Sequence, residues 1–279
     1  MTLKHLHDGI YADTDGNNGG NHGAIVLDNE ILMIDSGMIH TKSRMTRNYL
    51  ESKIDLPIKR LIFTHAHSDH VFGAQAFEPV LIVSSELTYN RCKRNLEQEW
   101  KQSMLRERYA SAKSDRPELW EALQTLSIRL PDIVFDDSVT IGDERQVTAK
   151  LMGGHTSGSS IVIDHDTNSV FIGDLIFSEG FPYGGDPTCN PDRWILSLEE
   201  IHASEYDTII PGHGHVCDQE ELGSYVKALS ELRQNVKDAI KSGISTESFV
   251  EREMVPHALE QGFERFGDTT LKHWFEFYS

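Results

Sequence analysis

Between Leu61 and Gly73 the chain reads LIFTHAHSDHVFG, placing His65, His67, Asp69 and His70 within six residues directly after an apolar run. Three imidazoles and a carboxylate this close together gain nothing from packing, because each polar group needs a partner once it leaves water. They make sense around a cation. Side chains two apart on an extended segment point to the same side, so His65 and His67 can grip one ion together. Asp69 and His70, past a turn, can face a neighbouring one. Neutral imidazole and carboxylate are donors that suit zinc, iron or manganese.

Three later segments share one feature with this stretch, a polar residue at a strand end beside glycines. They are LMGGHTSG with His155, VFIGDLIF with Asp174 and IIPGHGH with His213. Strand ends at one sheet edge are where functional groups converge, since loops there are free to vary. Five histidines and two aspartates exceed what one tetrahedral ion needs, and they divide well between two ions sharing a carboxylate. The other histidines, His22, His202 and His215 among them, read as structural.

Strands must position these residues. HGAIVLDNEILMIDSG is two apolar runs around Asp28-Asn29-Glu30, a hairpin pattern. The preceding DTDGNNGGNHG is Gly/Asn-rich, lacks the spacing of a phosphate-binding loop and reads as mobile. TKSRMTRNYLES reads as a helix, IKRLIFTH as a short buried strand ending at His65, FGAQAF as a run toward a helix, and PVLIVSS as a strand. From about 86 to 130 helical periodicity replaces the strand signals. Strands return in SVTIG, QVTAKLMGG and SSIVIDHDTNSVFIGD, the last a hairpin around Asp-Thr-Asn. NPDRWILSLEEI reads as a helix started by Asn190-Pro191, YDTIIPGHG as a final buried strand, and the chain is mostly helical from Gln219. Two strand-rich halves, each with helices, predict an α/β layered sandwich. It is expected as one domain over 1–279, with a helical insertion at about 86–130 and a helical C-terminal extension at about 219–279.

The 279 residues carry a net charge of −18, which speaks against a nucleic-acid backbone or an anionic membrane as partner. Cys92, Cys189 and Cys217 form no C-x-x-C pair and read as reduced thiols of a cytoplasmic protein. The N-terminus has no apolar signal region, and no apolar run approaches the ~18 residues of a membrane span. Against this acidic background, the stretch from Tyr89 to Leu130 holds nine Lys/Arg and six Asp/Glu. It is either a solvated helical face or a lid, in which Arg91, Lys93 and Arg94 meet an anionic part of a small-molecule substrate.

THAHSDH resembles the T-H-x-H-x-D-H signature of the metallo-β-lactamase superfamily. MIDSG with Asp35, GGHTSGSS, GDLIF and PGHG match its other motifs in order, over roughly residues 20–216. The resemblance implies an αββα sandwich with metals in a groove at one edge of two sheets. Carried over by position, His65, His67 and His155 hold one ion, Asp69, His70 and His213 hold the second, and Asp174 bridges them. Asp35 supports the ligands from behind. The implied cofactors are two divalent ions, zinc first, with iron or manganese as alternatives.

An aspartate rather than a cysteine at position 174 is similar to the glyoxalase II, lactonase and phosphodiesterase-type branches. The implied activity is that of a binuclear metal-dependent hydrolase, with a metal-bridging hydroxide attacking a small ester, thioester or lactone. Asp69 would move a proton to the leaving group. Phe181 and Tyr183 of FSEGFPYGGDP lie close after Asp174, and Tyr183 would aim its hydroxyl at the oxyanion. The alternatives are a phosphodiesterase or alkylsulfatase-like enzyme, a β-lactam hydrolase, a mononuclear iron oxygenase of the persulfide dioxygenase type, and a non-catalytic metal-binding protein. The intact set Asp69, His70 and His213 argues against the last two.

Overall fold

The computed structural model describes residues 3–178 and 180–279. β1 (Lys4–His7), β2 (Ile10–Asp13), β3 (His22–Val26) and β4 (Ile31–Ile34) form an antiparallel meander. After α1 (His40–Ile54) comes β5 (Ile58–Ile62), then the short α2 (Ser68–Val71), a 3₁₀ turn and β6 (Leu81–Ser85). Four helices follow: α3 (Glu86–Glu97), α4 (Gln102–Arg108), α5 (Ala112–Asp115) and α6 (Pro117–Gln124). With β7 (Ile133–Phe135), parallel to β6, the first sheet runs β1-β2-β3-β4-β5-β6-β7. The second sheet holds β8 (Ser138–Ile141), β9 (Val147–Leu151), β10 (Ser160–Asp164) and β11 (Ser169–Phe177), followed by α7 (Pro191–Ala203) and β12 (Thr208–His213). Its order is β12-β11-β10-β9-β8, with β12 parallel to β11. The chain ends in α8 (Gln219–Lys241), α9 (Thr246–Glu251) and α10 (Phe263–Tyr278).

The layering follows from strands that are apolar on both faces. In β4, Ile31 and Met33 join a core under α1 and the helices after β6, while Leu32 and Ile34 join the core between the sheets. A strand alternates its side chains, so burying all four residues requires a layer on each side. β11 does the same in the second sheet. Phe171 faces the inter-sheet core with Val162 and Ile210, while Val170, Ile172 and Leu175 pack with Trp194, Leu229 and Trp274 of the outer helices. The expected αββα sandwich is what the chain forms, and its C-terminal region is helical.

Three local readings need correcting. The Gly/Asn-rich loop before β3 is pinned down. Asn21 Nδ2 donates to the carbonyls of Pro211 (2.9 Å) and Gly214 (2.8 Å), and Asn18 Oδ1 accepts from Ile39 N at 2.7 Å. FGAQAF is 3₁₀ rather than the start of an α-helix. The β1–β2 hairpin and the three-residue β7 had no sequence signal of their own, since strands this short show little periodicity.

Candidate metal centre

The candidate ligands meet at one edge of the sandwich, six of the seven at or just beyond the C-terminal end of a strand. His65 and His67 follow β5, Asp69 and His70 lie on α2, His155 follows β9 and His213 ends β12. Asp174 comes from within β11, where the register with β12 shifts around Gly173. Gly173 has φ +53°, a conformation that suits glycine, and the bulge turns Asp174 toward the edge. Across from it, a Cβ on Gly212 of the PGHG motif would overlap the Asp174 carboxylate, so only glycine fits there.

Asp174 is the centre of the arrangement. Its Oδ2 lies 3.5 Å from His65 Nε2, 3.5 Å from His155 Nε2, 3.4 Å from His213 Nε2 and 4.0 Å from His67 Nδ1. Its Oδ1 lies 3.0 Å from His70 Nε2, and Asp69 Oδ2 stands 3.4 Å from His213 Nε2. Two groups around Asp174 could hold a metal ion, His65/His67/His155/Asp174 and Asp69/His70/His213, the ligand atoms of each lying within 4.8 Å of one another; a third such group, His215/Cys217/Glu221, stands apart from them. The same division was expected from the resemblance.

The far nitrogen of four of these rings is tied down, which aims the near one. His70 Nδ1 donates to Asp35 Oδ2 (2.8 Å) and His155 Nδ1 to the Tyr183 carbonyl (2.9 Å). Thr64 Oγ1 donates to Asp35 Oδ2 at 2.7 Å and so accepts from His65 Nδ1 at 3.0 Å. His67 Nε2 donates to Asp186 Oδ2 at 3.2 Å. Asp35 is therefore a buried anchor for two ligand rings, held at φ +55° and also accepting from Thr64 N. A non-glycine residue there is strained, and such strain gathers at functional sites.

Asp186 is the residue the sequence reading missed. Nothing in GGDPTCN marks it, and only the fold brings it to His67 and to Arg91 (3.4 Å). Phe177 was missed too; its ring stacks on His213 at 5.0 Å.

The donor set fits metal ions. With their other nitrogens donating, His155 Nε2 and His67 Nδ1 face each other at 3.1 Å, which is repulsive unless a proton or cation lies between them. His65 Nε2 is buried without a hydrogen bond, a costly state for a polar atom, and His70 Nε2 and Asp174 Oδ1 are buried with only each other, at 3.0 Å, for a partner. Burial, with neighbouring imidazoles, holds His155 well below the usual histidine range, and His65 is lowered in the same way. Burial also opposes charge on His67 and His213, but the carboxylates beside them prevail and lift each to about 9. His70 is likewise raised by Asp174 and Asp35. The aspartates thus make a pocket that demands positive charge, and protons supply it where metal does not.

A cleft of about 480 Å³ lies over this centre, walled by α2, the helices after β6, the loop after β11 and α10. Arg91 points into it, whereas Lys93 and Arg94 are exposed on the outer face of α3 and do not line it. The expected trio therefore reduces to Arg91, joined by Arg108, Arg116 and Arg265. Tyr183 lines the cleft, its ring 5.6 Å from that of His67. Phe181 is core, packed on Phe263 at 5.0 Å. His22 is buried against Thr46, and His215 bonds Ser178 and Glu221.

Residues 16–213 match the family model of the metallo-beta-lactamase superfamily, and the chain belongs to that family. It is 27% identical over 168 residues to acyl-coenzyme A thioesterase MBLAC2 of Gallus gallus, a match covering 58% of each protein. The chain thus spans less than two thirds of that relative. A metallo-beta-lactamase from Pontibacter korlensis superposes with TM-score 0.61 at 17% identity, over 82% of this chain and 98% of that one. The stereoselective inverting sec-alkylsulfatase Pisa1 from Pseudomonas sp. superposes with TM-score 0.75 at 12% identity, over 99% of this chain and 50% of that one. At these identities the structural likeness is one of fold alone.

Proposed function

We propose that this chain is a hydrolase that holds two divalent ions, zinc first among them, and cleaves a small ester or thioester. The observation that carries the reading is the convergence of five imidazoles and the Asp69 carboxylate around Asp174, with near nitrogens aimed inward. His65, His67 and His155 would hold one ion, Asp69, His70 and His213 the other, and Asp174 would lie between them. Such ions, when bound, polarise a carbonyl and bring the pKa of water to roughly 7. The relative named as an acyl-coenzyme A thioesterase supports a thioester among the substrates.

The protein side chains then divide the remaining work. Asp69 opens on the cleft, its Oδ2 3.4 Å from His213 Nε2, and from that place its carboxylate would pass a proton to the leaving group. Burial, with Asp186 nearby, pushes the Tyr183 phenol up, so it stays protonated and can donate to an oxyanion. Phe177, Phe266 and Trp100 narrow the cleft against water. Three free buried thiols suit a cytoplasmic setting. Among the described residues, no helix is long and apolar enough to cross a membrane.

Elemental analysis of the purified protein, paired with ester, thioester, lactone, β-lactam and phosphodiester substrates, tests the reading. Two ions per chain and turnover of an ester or thioester, both lost in Asp174→Ala, are expected. A single ion after reconstitution with excess zinc, iron or manganese would instead favour the mononuclear oxygenase.

A further inference from the structure

The cleft over the metal centre does not end at His213. It opens into a second hollow of about 970 Å³ between the α5–α6 region and α10. The junction is lined in both hollows by Met38, Phe177, His213 and Phe266, together with Arg116 and Arg265. Among the described residues, no carboxylate lines both hollows. The carboxylates stand to either side, Asp69, Glu99, Asp174 and Asp186 lining the first hollow and Asp115 and Glu118 the second.

The other cations nearby are already committed. Arg91 pairs with Asp186 (3.4 Å) and Glu99 (3.8 Å), Arg108 with Glu99 (3.0 Å), and Lys42 with Glu118 (3.0 Å). Arg116 and Arg265 make no salt bridge among the described residues, and Arg265 lies over the Phe266 ring at 4.5 Å. Stacking holds a guanidinium plane while leaving its edge N–H groups free to donate.

Resting on the hydrolase reading above, we infer that Arg116 and Arg265 form an anion clamp selecting substrates with a carboxylate or phosphate beside the scissile bond. One arginine precedes α6 and the other lies on α10, so the clamp spans the groove from both walls. The substrate is therefore an anionic ester or thioester, its apolar part lying along Met38, Phe177 and Phe266. Both arginines are exposed, so the attraction they offer an anion is long-ranged and weakened by salt.

Three esters test this on the metal-loaded protein. Para-nitrophenyl butyrate is neutral, mono-para-nitrophenyl glutarate carries its carboxylate on the acyl side, and para-butyryloxybenzoate carries it on the leaving side. The wild type should show a KM about tenfold lower for one charged ester than for the neutral one, and the side that benefits locates the anion. In Arg116→Gln/Arg265→Gln the ratio of those KM values should fall toward one; in the exposed control Lys93→Gln/Arg94→Gln it should keep its wild-type value. A ratio unmoved by loss of both arginines, or no preference for either charged ester, overturns the clamp. If no ester is cleaved, the hydrolase reading fails separately. Calorimetric binding of glutaranilic acid against neutral butyranilide then decides the clamp, and equal affinities in wild type and double variant would refute it.

Discussion

Asp186→Asn isolates what a residue behind a ligand contributes. In the structure Asp186 Oδ1 accepts from Thr188 N (2.8 Å) and Thr188 Oγ1 (2.6 Å), while Oδ2 accepts from His67 Nε2 (3.2 Å) and Arg91 Nη2 (3.4 Å). The asparagine keeps the shape and the Thr188 contacts but sets an NH₂ donor against two donors. Turning the amide over only moves the mismatch to Thr188 N–H. His67 then loses the acceptor that keeps its proton on Nε2 and its lone pair on Nδ1, facing the site.

A hydrogen bond to a charged group contributes about 1.5–3 kcal/mol. At 3.2 Å this one is at the long end of the normal range, so the lower figure applies. About 1.5 kcal/mol is about tenfold in an equilibrium constant, within the ~10–100-fold typical of groups that orient a metal ligand. Titrating metal-free protein with zinc against a chromophoric chelator should show one binding step weakened about tenfold and the other nearly unchanged. Two wild-type binding steps in a folded Asp186→Asn protein would refute the orientation argument. Equal weakening of both steps would show that the loss acts through the fold.

Gly212→Ala should lower both metal content and stability, because the new methyl meets the Asp174 carboxylate and the backbone of Gly173 and Asp174; metal analysis with thermal melting checks this. Asp35→Ala should weaken metal binding by about 10–100-fold, since His70 and Thr64 lose their acceptor, and chelator competition reads it directly. Arg145 clamps the sheets at the far edge, donating to buried Asp164 at 2.9 and 2.6 Å and to the carbonyls of Asp8 and Val26. Arg145→Met should cost about 3 kcal/mol at neutral pH in urea unfolding, the scale for stranding one partner of a buried pair. Despite its burial, Arg145 and Thr167 hold Asp164 below its usual carboxylate pKa. Its contribution is therefore complete above the unfolded value of about 4 and fades as pH falls through the lower folded one. The stability gap between wild type and variant should accordingly shrink in acid, and a gap that widens there would contradict the assignment.

The seven candidate ligands were legible in the sequence because their residue types cluster in short motifs, THAHSDH and three glycine-bearing runs, even though Asp174 lies within its strand rather than at the strand end expected. Local chemistry is dense there, so the signal survives without a fold. The layered architecture was legible for a related reason: apolar runs such as ILMI and VFIGDLIF must be covered on both faces. Asp186, Phe177 and the two junction arginines were not legible. Asp186 is 119 residues from His67 in the chain, and Arg116 and Arg265 are likewise far apart in it, one before α6 and the other on the last helix. Their meaning is a distance, set by how the helices after β6 and α10 pack over the sheet edge. The basic stretch 89–130 shows the same division. Composition announced an excess of positive charge, but the packing of α3 decided that Arg91 enters the cleft while Lys93 and Arg94 stay exposed. Two positions along a helix is a rotation of about 200°, which turns Lys93 away from the side of Arg91, whereas Arg94, three positions on, stays within about 60° of it, so only packing chooses which of them meets the site.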